Sequence, residues 1–324
     1  MATSPKQKTP GLRLVRPSDP CTSRDFAKGL LERCSFPEAE PEQLAAALAC
    51  AVSGGADSLA LLVLATEAGC RPTAYHVDHG LRPGSASEVE IVRHAAGILE
   101  AEVVSLRVDL APGANLEARA REARFSVLPP GVATGHTADD QAETVLINLL
   151  RGSSAAGLSG MTAGPRHPIL GLRRHETRAV CREAGIEWVD DPSNAELGPL
   201  RNRVRHELLP SLNELSGRDL VPILCRQSDL LGDDEALLDE LSRAFDPTSA
   251  RELAAAPRPL ARRAVRSWLR SAGPSPHPPS SAAVERVLRV AGGAMLACDV
   301  GGGVSVRRRR GRLVLESPAS RPVR

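Results

Sequence analysis

The sequence predicts an α/β protein: a doubly wound parallel sheet followed by a smaller, mainly helical C-terminal domain. Three observations predict it. Short apolar runs alternate with longer helical ones through the first half of the chain, the βαβα order of a parallel sheet. A glycine turn, Ala51-Val52-Ser53-Gly54-Gly55-Ala56-Asp57-Ser58, links the first of these runs to the first helix. The chain's 324 residues exceed one typical domain.

Residues 1–24 are polar and contain proline, and read as a weakly ordered extension. Strand Ala49–Ser53 then precedes helix Ser58–Ala68, Pro72–Val77 precedes Ser85–Leu99, Glu102–Val108 precedes Leu116–Leu128, and Val132–Gly135 precedes Ala138–Leu150. A Gly/Ser/Ala connection over Gly152–Gly164 leads to a helix at His175–Ala184 and to the run Ile186–Asn194. Arg201–Leu215 reads as helix broken at Pro210, because proline lacks the N–H and clashes one turn back. A long helix follows over Asp219–Phe245, then helices at Leu260–Leu269 and Ala282–Val290 around a Pro-rich loop, Gly273–Pro279. Met295–Leu315 reads as short strands with glycine turns. The domain boundary is expected near Ser216–Arg218, dividing residues 25–217 from residues 218–324.

Composition narrows the function. Aromatic residues are 2% of the chain, so stacking of bases on rings cannot dominate nucleic-acid binding. The net charge of +2 is unremarkable, but arginines crowd into Arg201-Asn202-Arg203-Val204-Arg205, into Arg258–Arg270 with Arg262 and Arg263, and into Arg307-Arg308-Arg309-Arg310-Gly311-Arg312. Such clusters fit phosphate binding by the guanidinium fork, or a genome that writes arginine where others write lysine. Seven cysteines without a C-x-x-C pair argue against a disulfide framework and a zinc or iron–sulfur site. The longest apolar run, Leu44–Val52, is too short to span a membrane, and the N-terminus lacks the apolar stretch of a secretion signal. The expectation is a cytosolic protein without a membrane partner.

The glycine turn carries the first chemistry. Gly54 and Gly55 remove Cβ so that backbone N–H groups can converge on an anion, the following helix adds its positive end, and the Ser53 and Ser58 hydroxyls add donors. No Gly-Lys-Ser/Thr follows, and all lysines lie at Lys6, Lys8 and Lys28, so this is not a Walker A loop. A carboxylate at Asp57 beside phosphates is best tolerated when Mg²⁺ bridges them. The second strand ends in His76-Val77-Asp78-His79-Gly80-Leu81-Arg82, which sets polar groups at the sheet's mouth beside the first loop; a metal site or an ordinary strand exit is the alternative reading. The fourth ends in Thr134-Gly135-His136-Thr137-Ala138-Asp139-Asp140-Gln141-Ala142-Glu143-Thr144. Thr137 and Asp140 make a capping box, while Asp139 and Glu143, four apart, share a helix face that can hold Mg²⁺ or an ammonium group.

Ser-Gly-Gly-Ala-Asp-Ser resembles the pyrophosphate loop (PP-loop) of the ATP pyrophosphatases, which split ATP into AMP and PPi. The later motifs narrow the resemblance: His76–Arg82, Glu117–Phe125, Gly135–Thr144, Leu149–Gly152 with Gly157–Met161, Asp191-Pro192-Ser193-Asn194 and Arg201–Pro210. In this order, from Leu44 to Leu212, the chain resembles the short bacterial form of the tRNA(Ile)-lysidine synthetase family. That resemblance implies an adenine nucleotide alpha hydrolase-like catalytic domain over 25–217 and a helical linker with a tRNA-binding domain over 218–324. It implies a reaction in which ATP adenylates the C2 oxygen of the wobble cytidine of tRNA(Ile) with a CAU anticodon, and free L-lysine displaces AMP.

The implied site assigns Ser53, Gly54, Gly55, Ala56, Asp57, Ser58, His76 and Asp78 to ATP, with Asp57 also holding Mg²⁺. Asp139, Asp140 and Glu143 meet the lysine ammonium or take its proton, His136 and Arg205 stabilise the adenylate, and Arg201 and Arg203 meet RNA phosphates; the clustering of arginines on segments without other chemistry adds Arg262, Arg263, Arg307 and Arg308 as expected tRNA contacts. A tRNA thiolase shares the loop but normally needs paired cysteines. A nucleotide-binding module without catalysis gains nothing from four acids near phosphates. The sequence leaves monomer or homodimer open.

Overall fold

A computed structural model describes residues 13–15, 29–38, 45–78, 85–108, 116–190, 198–272 and 279–316. His79–Arg82, Asp191–Asn194, most of the 1–24 extension and the Pro-rich loop up to residue 278 lie outside the described residues. The chain divides into two compact units, Met1–Asp229 and Leu230–Arg324.

The first unit opens with a short strand, β1 (Arg13–Val15), inside the segment read as an extension. Its main sheet comprises β2 (Ala47–Ala51), β3 (Arg71–Asp78), β4 (Glu102–Arg107) and β5 (Ala133–Thr134), all parallel, in the order β4-β3-β2-β5. The crossovers are α1 (Ala56–Glu67), α2 (Ser85–Ile98) and α3 (Leu116–Val127), and α4 (Ala138–Leu150) follows β5. The strand order reverses at β2, with β3 on one side and β5 on the other, so the loops leaving β2 and β5 open into the crevice where such sheets bind ligands.

Helix α1 is apolar almost all round and accordingly buried: Leu59, Leu61, Leu62 and Leu64 are fully enclosed with Cys50, Ala74, Val180 and Cys181. It packs against the sheet and against α6 (Arg174–Glu183), which follows a short α5 (Ala155–Leu158). β6 (Trp188–Asp190) pairs antiparallel with β1, and its Val189 N–H donates to the Gly54 carbonyl at 2.9 Å. The loop after β2 is therefore buttressed by chain from far along the sequence.

The Arg201–Leu215 segment stays helical through Pro210. It runs as α7 (Leu200–Arg203), a π-helical turn (Val204–Leu208) and α8 (Leu209–Ser216). Pro210 lies in the first turn of α8, where its missing N–H costs least, and the widened turn before it absorbs the disrupted ladder. The long α9 (Val221–Ser242) follows.

The second unit holds α10 (Ala250–Ala255), α11 (Arg258–Ala272), α12 (Ser281–Ala291) and an antiparallel meander, β7 (Ala297–Gly301), β8 (Val304–Arg309) and β9 (Arg312–Glu316). Ser249 and Ser280 cap α10 and α12 through their hydroxyl oxygens. Gly302-Gly303 and Arg310-Gly311 all have positive φ, as two-residue turns between twisted antiparallel strands require. Val265, Val287 and Val306 are fully enclosed at the core.

Candidate active site

A cavity of about 830 Å³ opens in the first unit at the end of β2. Ser53, Gly55, Ala56, Asp57 and Ser58 form one wall, and His76, His136, Asp140, Arg174, Arg201 and Arg205 are also in its lining. The loop is held from within. The Ser58 hydroxyl donates to the Gly55 carbonyl at 2.9 Å, the Ser53 N–H donates to Ser58 Oγ at 3.1 Å, and Gly54 takes φ of 82°, a left-handed conformation suited to glycine. Behind it the His76 Nδ1 and the Val52 carbonyl lie 2.9 Å apart, so that nitrogen carries the hydrogen. Burial lowers the His76 pKa and keeps the ring neutral. Asp78 ends β3 outside the cavity lining.

Gly135 brings the other wall close. A Cβ there would lie 2.6 Å from the Asp57 carbonyl oxygen, so only glycine lets the chain leaving β5 pass the start of α1. His136 follows, its Nδ1 2.6 Å from Thr134 Oγ1 and its ring edge-to-face with His167 at 5.1 Å. Thr137 and Asp140 make the capping box: Asp140 Oδ2 accepts from the Thr137 N–H at 2.9 Å and hydroxyl at 2.8 Å.

The acids separate into two groups. Asp140 and Glu143, three apart, face Arg174, Arg201 and Arg205. Glu143 has no exposed side-chain surface; its Oε1 accepts from Arg174 Nη1 and Arg205 Nε, both at 2.7 Å, and its Oε2 from Arg201 Nε at 2.8 Å and Arg205 Nη2 at 3.1 Å. Asp140 Oδ1 accepts from Arg174 Nη2 at 2.5 Å and Arg201 Nη2 at 3.0 Å. Burial pushes both carboxyls up, but the surrounding guanidiniums outweigh it and hold both below their ordinary values.

Asp139, read from the sequence as the partner of Glu143, points elsewhere. It takes two bonds from Arg173 at 3.1 Å and one from the Arg174 N–H at 2.9 Å, and it does not line the cavity. Helical spacing allowed Glu143 either neighbour. The capping bond to Thr137 fixes Asp140 so that its second oxygen faces the arginines, and Arg173, also bound to Asp219, draws Asp139 aside.

Asp57 is the most open of the four acids, its side chain 31% exposed against 16%, 11% and 0% for Asp139, Asp140 and Glu143. Burial raises its carboxyl to about 6, against the opposing bond from the buried Thr177 hydroxyl at 2.5 Å. Among the described residues no group of three or more His, Cys, Asp or Glu side chains stands ready to hold a metal. A single carboxylate beside a phosphate loop still suits Mg²⁺, which commonly takes one or two carboxylates and completes its shell with substrate phosphates and water.

The other arginines read as RNA contacts have partners within the chain. Arg203, on the exposed face of α7, pairs with Glu207 at 3.2 Å. In the second unit, Arg262 donates to Glu285 at 2.5 Å, Arg263 pairs with Glu235 and Asp239, Arg307 donates to Glu316 at 3.3 Å, and Arg308 donates to the Ala291 carbonyl at 2.9 Å. Arg263 is the most committed, with 17% of its side chain exposed.

Sequence reasoning missed Arg174 and Thr177. Arg174 opens α6, where a cation meets the positive end of the helix dipole; that local misfit was the available signal of an external partner. Thr177 gave no signal.

A parallel sheet with a glycine-serine loop after its first core strand and a cationic cavity at the strand reversal defines a PP-loop protein, and residues 32–212 match the PP-loop domain. Residues 249–314 match the TilS substrate binding domain. The tRNA(Ile)-lysidine synthase of Nocardia farcinica is 40% identical over 309 residues, 86% of this chain and 95% of that protein. That of Rhodococcus erythropolis is 38% identical over 292 residues, 82% and 88% of the two chains. The chain belongs to the tRNA(Ile)-lysidine synthase family. In fold it is similar to the U34-tRNA thiolase NcsA from Methanococcus maripaludis, with a TM-score of 0.50 and 16% identity over 64% of this chain and 80% of that one. Among the described residues no helix is long and apolar enough to cross a membrane.

Proposed function

We propose that this chain ligates free L-lysine to C2 of the wobble cytidine of a tRNA(Ile) with a CAU anticodon, forming lysidine and releasing AMP and PPi. The observation that carries the reading is the single cavity that joins the Ser53–Ser58 loop to His136 and a bank of arginines, in a chain of this family. ATP binds through the loop: backbone N–H groups and the Ser53 hydroxyl meet its phosphates, Ser58 holds the loop's shape through its bond to the Gly55 carbonyl, His76 secures the strand end from behind and Asp78 stands at the neighbouring strand end.

Attack by the cytidine C2 oxygen on the α-phosphorus breaks the bond to pyrophosphate and leaves an adenylated base. The lysine ε-ammonium gives up a proton to solvent, the free amine attacks C2, and the C2–O bond breaks to expel AMP. Asp57 is assigned to Mg²⁺, which when bound offsets charge on the departing pyrophosphate. His136 meets the adenylate from the opposite wall, and Arg205 reaches the phosphate chain of the same nucleotide. Free L-lysine enters the proposal through the family's reaction and not through an open acid pair, because Asp140 and Glu143 are already occupied by arginines. RNA phosphates are assigned to Arg203 and to the arginine-rich β8 strand with its following turn, where Arg308, Arg309 and Arg310 are exposed.

Digestion of the tRNA to nucleosides after incubation with ATP and L-lysine tests the reading. Lysidine with equal AMP and PPi is expected. Unmodified cytidine, or ADP and phosphate as products, overturns it.

A further inference from the structure

We infer that Arg174, Arg201 and Arg205 form one anion receptor that holds the pyrophosphate end of the nucleotide against the Ser53–Ser58 loop, with Arg174 as a further substrate-contacting residue. The inference rests on the proposed reaction and names the groups that receive its leaving group. Three guanidiniums from two distant segments, the start of α6 and the α7 to π-turn stretch, converge on Glu143 and Asp140, and all three line the cavity. Both acids are held ionised, and the third carboxylate near the cluster, Asp57, 3.7 Å from Arg174, is the one assigned to Mg²⁺, which leaves three guanidiniums over two carboxylates when the metal is bound.

Each guanidinium has five N–H donors. Arg174 spends two of them on these carboxylates, as do Arg201 and Arg205. What remains is a preoriented set of donors fixed from beneath by a fully buried glutamate, the arrangement that suits a multiply charged, oxygen-rich anion. Arg174 reaches the loop, its Nε 3.7 Å from Asp57 Oδ2.

A second layer sets its direction. Asp139 accepts from the Arg174 N–H and clamps Arg173, and Glu176 takes the Arg173 N–H at 2.7 Å while gripping Arg33. The backbone from which Arg174 projects is thus fixed on both sides. Asp139 acts here as a positioning residue.

The test is calorimetric titration of inorganic pyrophosphate, in the presence of Mg²⁺, into the full-length chain. Wild type should bind it, Arg174→Gln should weaken binding at least tenfold, and Arg174→Lys, which keeps the charge and loses the fork, at least threefold. Arg178→Gln is the control: Arg178 lines the same cavity but pairs with Asp190, outside the receptor, and should bind pyrophosphate like wild type. Should Arg174→Gln fail to fold, the lysine variant and the control still decide. Unchanged pyrophosphate binding in Arg174→Lys, or a rise only in the KM for L-lysine, overturns the inference. Lysidine formation by the wild type is scored separately, so failure of the reaction and failure of the receptor are distinguishable.

Discussion

Arg205 grips Glu143 with two near-parallel bonds, Nε to Oε1 at 2.7 Å and Nη2 to Oε2 at 3.1 Å, although 62 positions separate the residues in the chain. The pair ties the π-helical turn to α4, and Arg174 and Arg201 complete the ring around the same carboxylate. The π-helical turn is thus held to α4 by this ion-pair ring as well as by the apolar packing of Val204 with Ala138, Ala142 and Leu146.

Glu143→Gln removes the charge that three guanidiniums share. Removing one partner of a buried ion pair leaves the other uncompensated and typically costs about 3–5 kcal/mol. Chemical denaturation should show a loss of that order, with the apparent KM for ATP and for L-lysine rising together. A stable variant impaired only in its KM for lysine would make Glu143 the ammonium site.

The Asp57 carboxyl gives a pH signature. Its folded pKa, raised by burial to about 6, exceeds its ordinary value of 3.8, so the folded chain binds the proton more tightly than the unfolded one. The stability this contributes is complete below about 4 and is lost as pH rises through about 6. Asp140 and Glu143 act oppositely: their lowered values contribute stability above the usual carboxylate range that is lost on acidification. In Mg²⁺-free buffer, Asp57→Asn should match wild type in melting temperature near pH 4 and exceed it near pH 7.5, while losing adenylation. Identical pH profiles for the two proteins would show that Asp57 is not desolvated.

The parallel sheet and its phosphate loop were legible because both are local. Alternating apolar runs mark strands and helices, and Gly54-Gly55 between a strand and a helix marks the turn. The arginine ring was not legible. Arg174 meets Asp140 across 34 positions and Arg201 meets Glu143 across 58, and no local pattern encodes such convergence. Which acid turns to the arginines beside Glu143 was not legible for a different reason, since residues three and four apart are both neighbours on a helix and only capping by Thr137 decides. The pairing of β1 with β6 was likewise invisible, a three-residue strand in a polar segment whose partner lies at Trp188–Asp190.

Gly135→Ala probes the contact between the two walls. Its added Cβ would fall 2.6 Å and 2.7 Å from the Asp57 carbonyl oxygen and carbon and 2.9 Å from Ser58 Cα, all backbone atoms that cannot rotate away. Overpacking of this kind typically costs about 1–3 kcal/mol. The strain falls on the start of α1, so the KM for ATP should rise along with the loss in melting temperature. Gly131→Ala serves as a control, because nothing lies within 4 Å of its added Cβ and only its φ of 77° opposes the change. It should lose some stability while keeping the wild-type KM for ATP; equal KM changes in both variants would refute the close-approach account.

The last prediction separates arginines that hold the second unit together from those available to RNA. Arg263 joins Glu235 and Asp239 at 17% exposure, so Arg263→Ala should lower the melting temperature and leave the salt dependence of tRNA binding almost unchanged. The run Arg307–Arg310 is different. Arg307 and Arg309 share Glu316, whose one negative charge cannot balance two positive ones, and Arg308 gives a bond to a neutral carbonyl. Arg310 sits exposed at the turn before β9, with φ of 49°. Positive charge therefore remains uncompensated along β8 and at its turn. Each phosphate neutralised releases condensed counterions, adding about 0.7–0.9 to the slope of log affinity against log salt. Replacing all four arginines with alanine should weaken tRNA binding and flatten that slope by about 2–3, while pyrophosphate binding in the first unit stays at its wild-type value. An unchanged slope in the quadruple variant would remove β8 from the RNA surface and leave the tRNA contact to Arg203 and the catalytic unit.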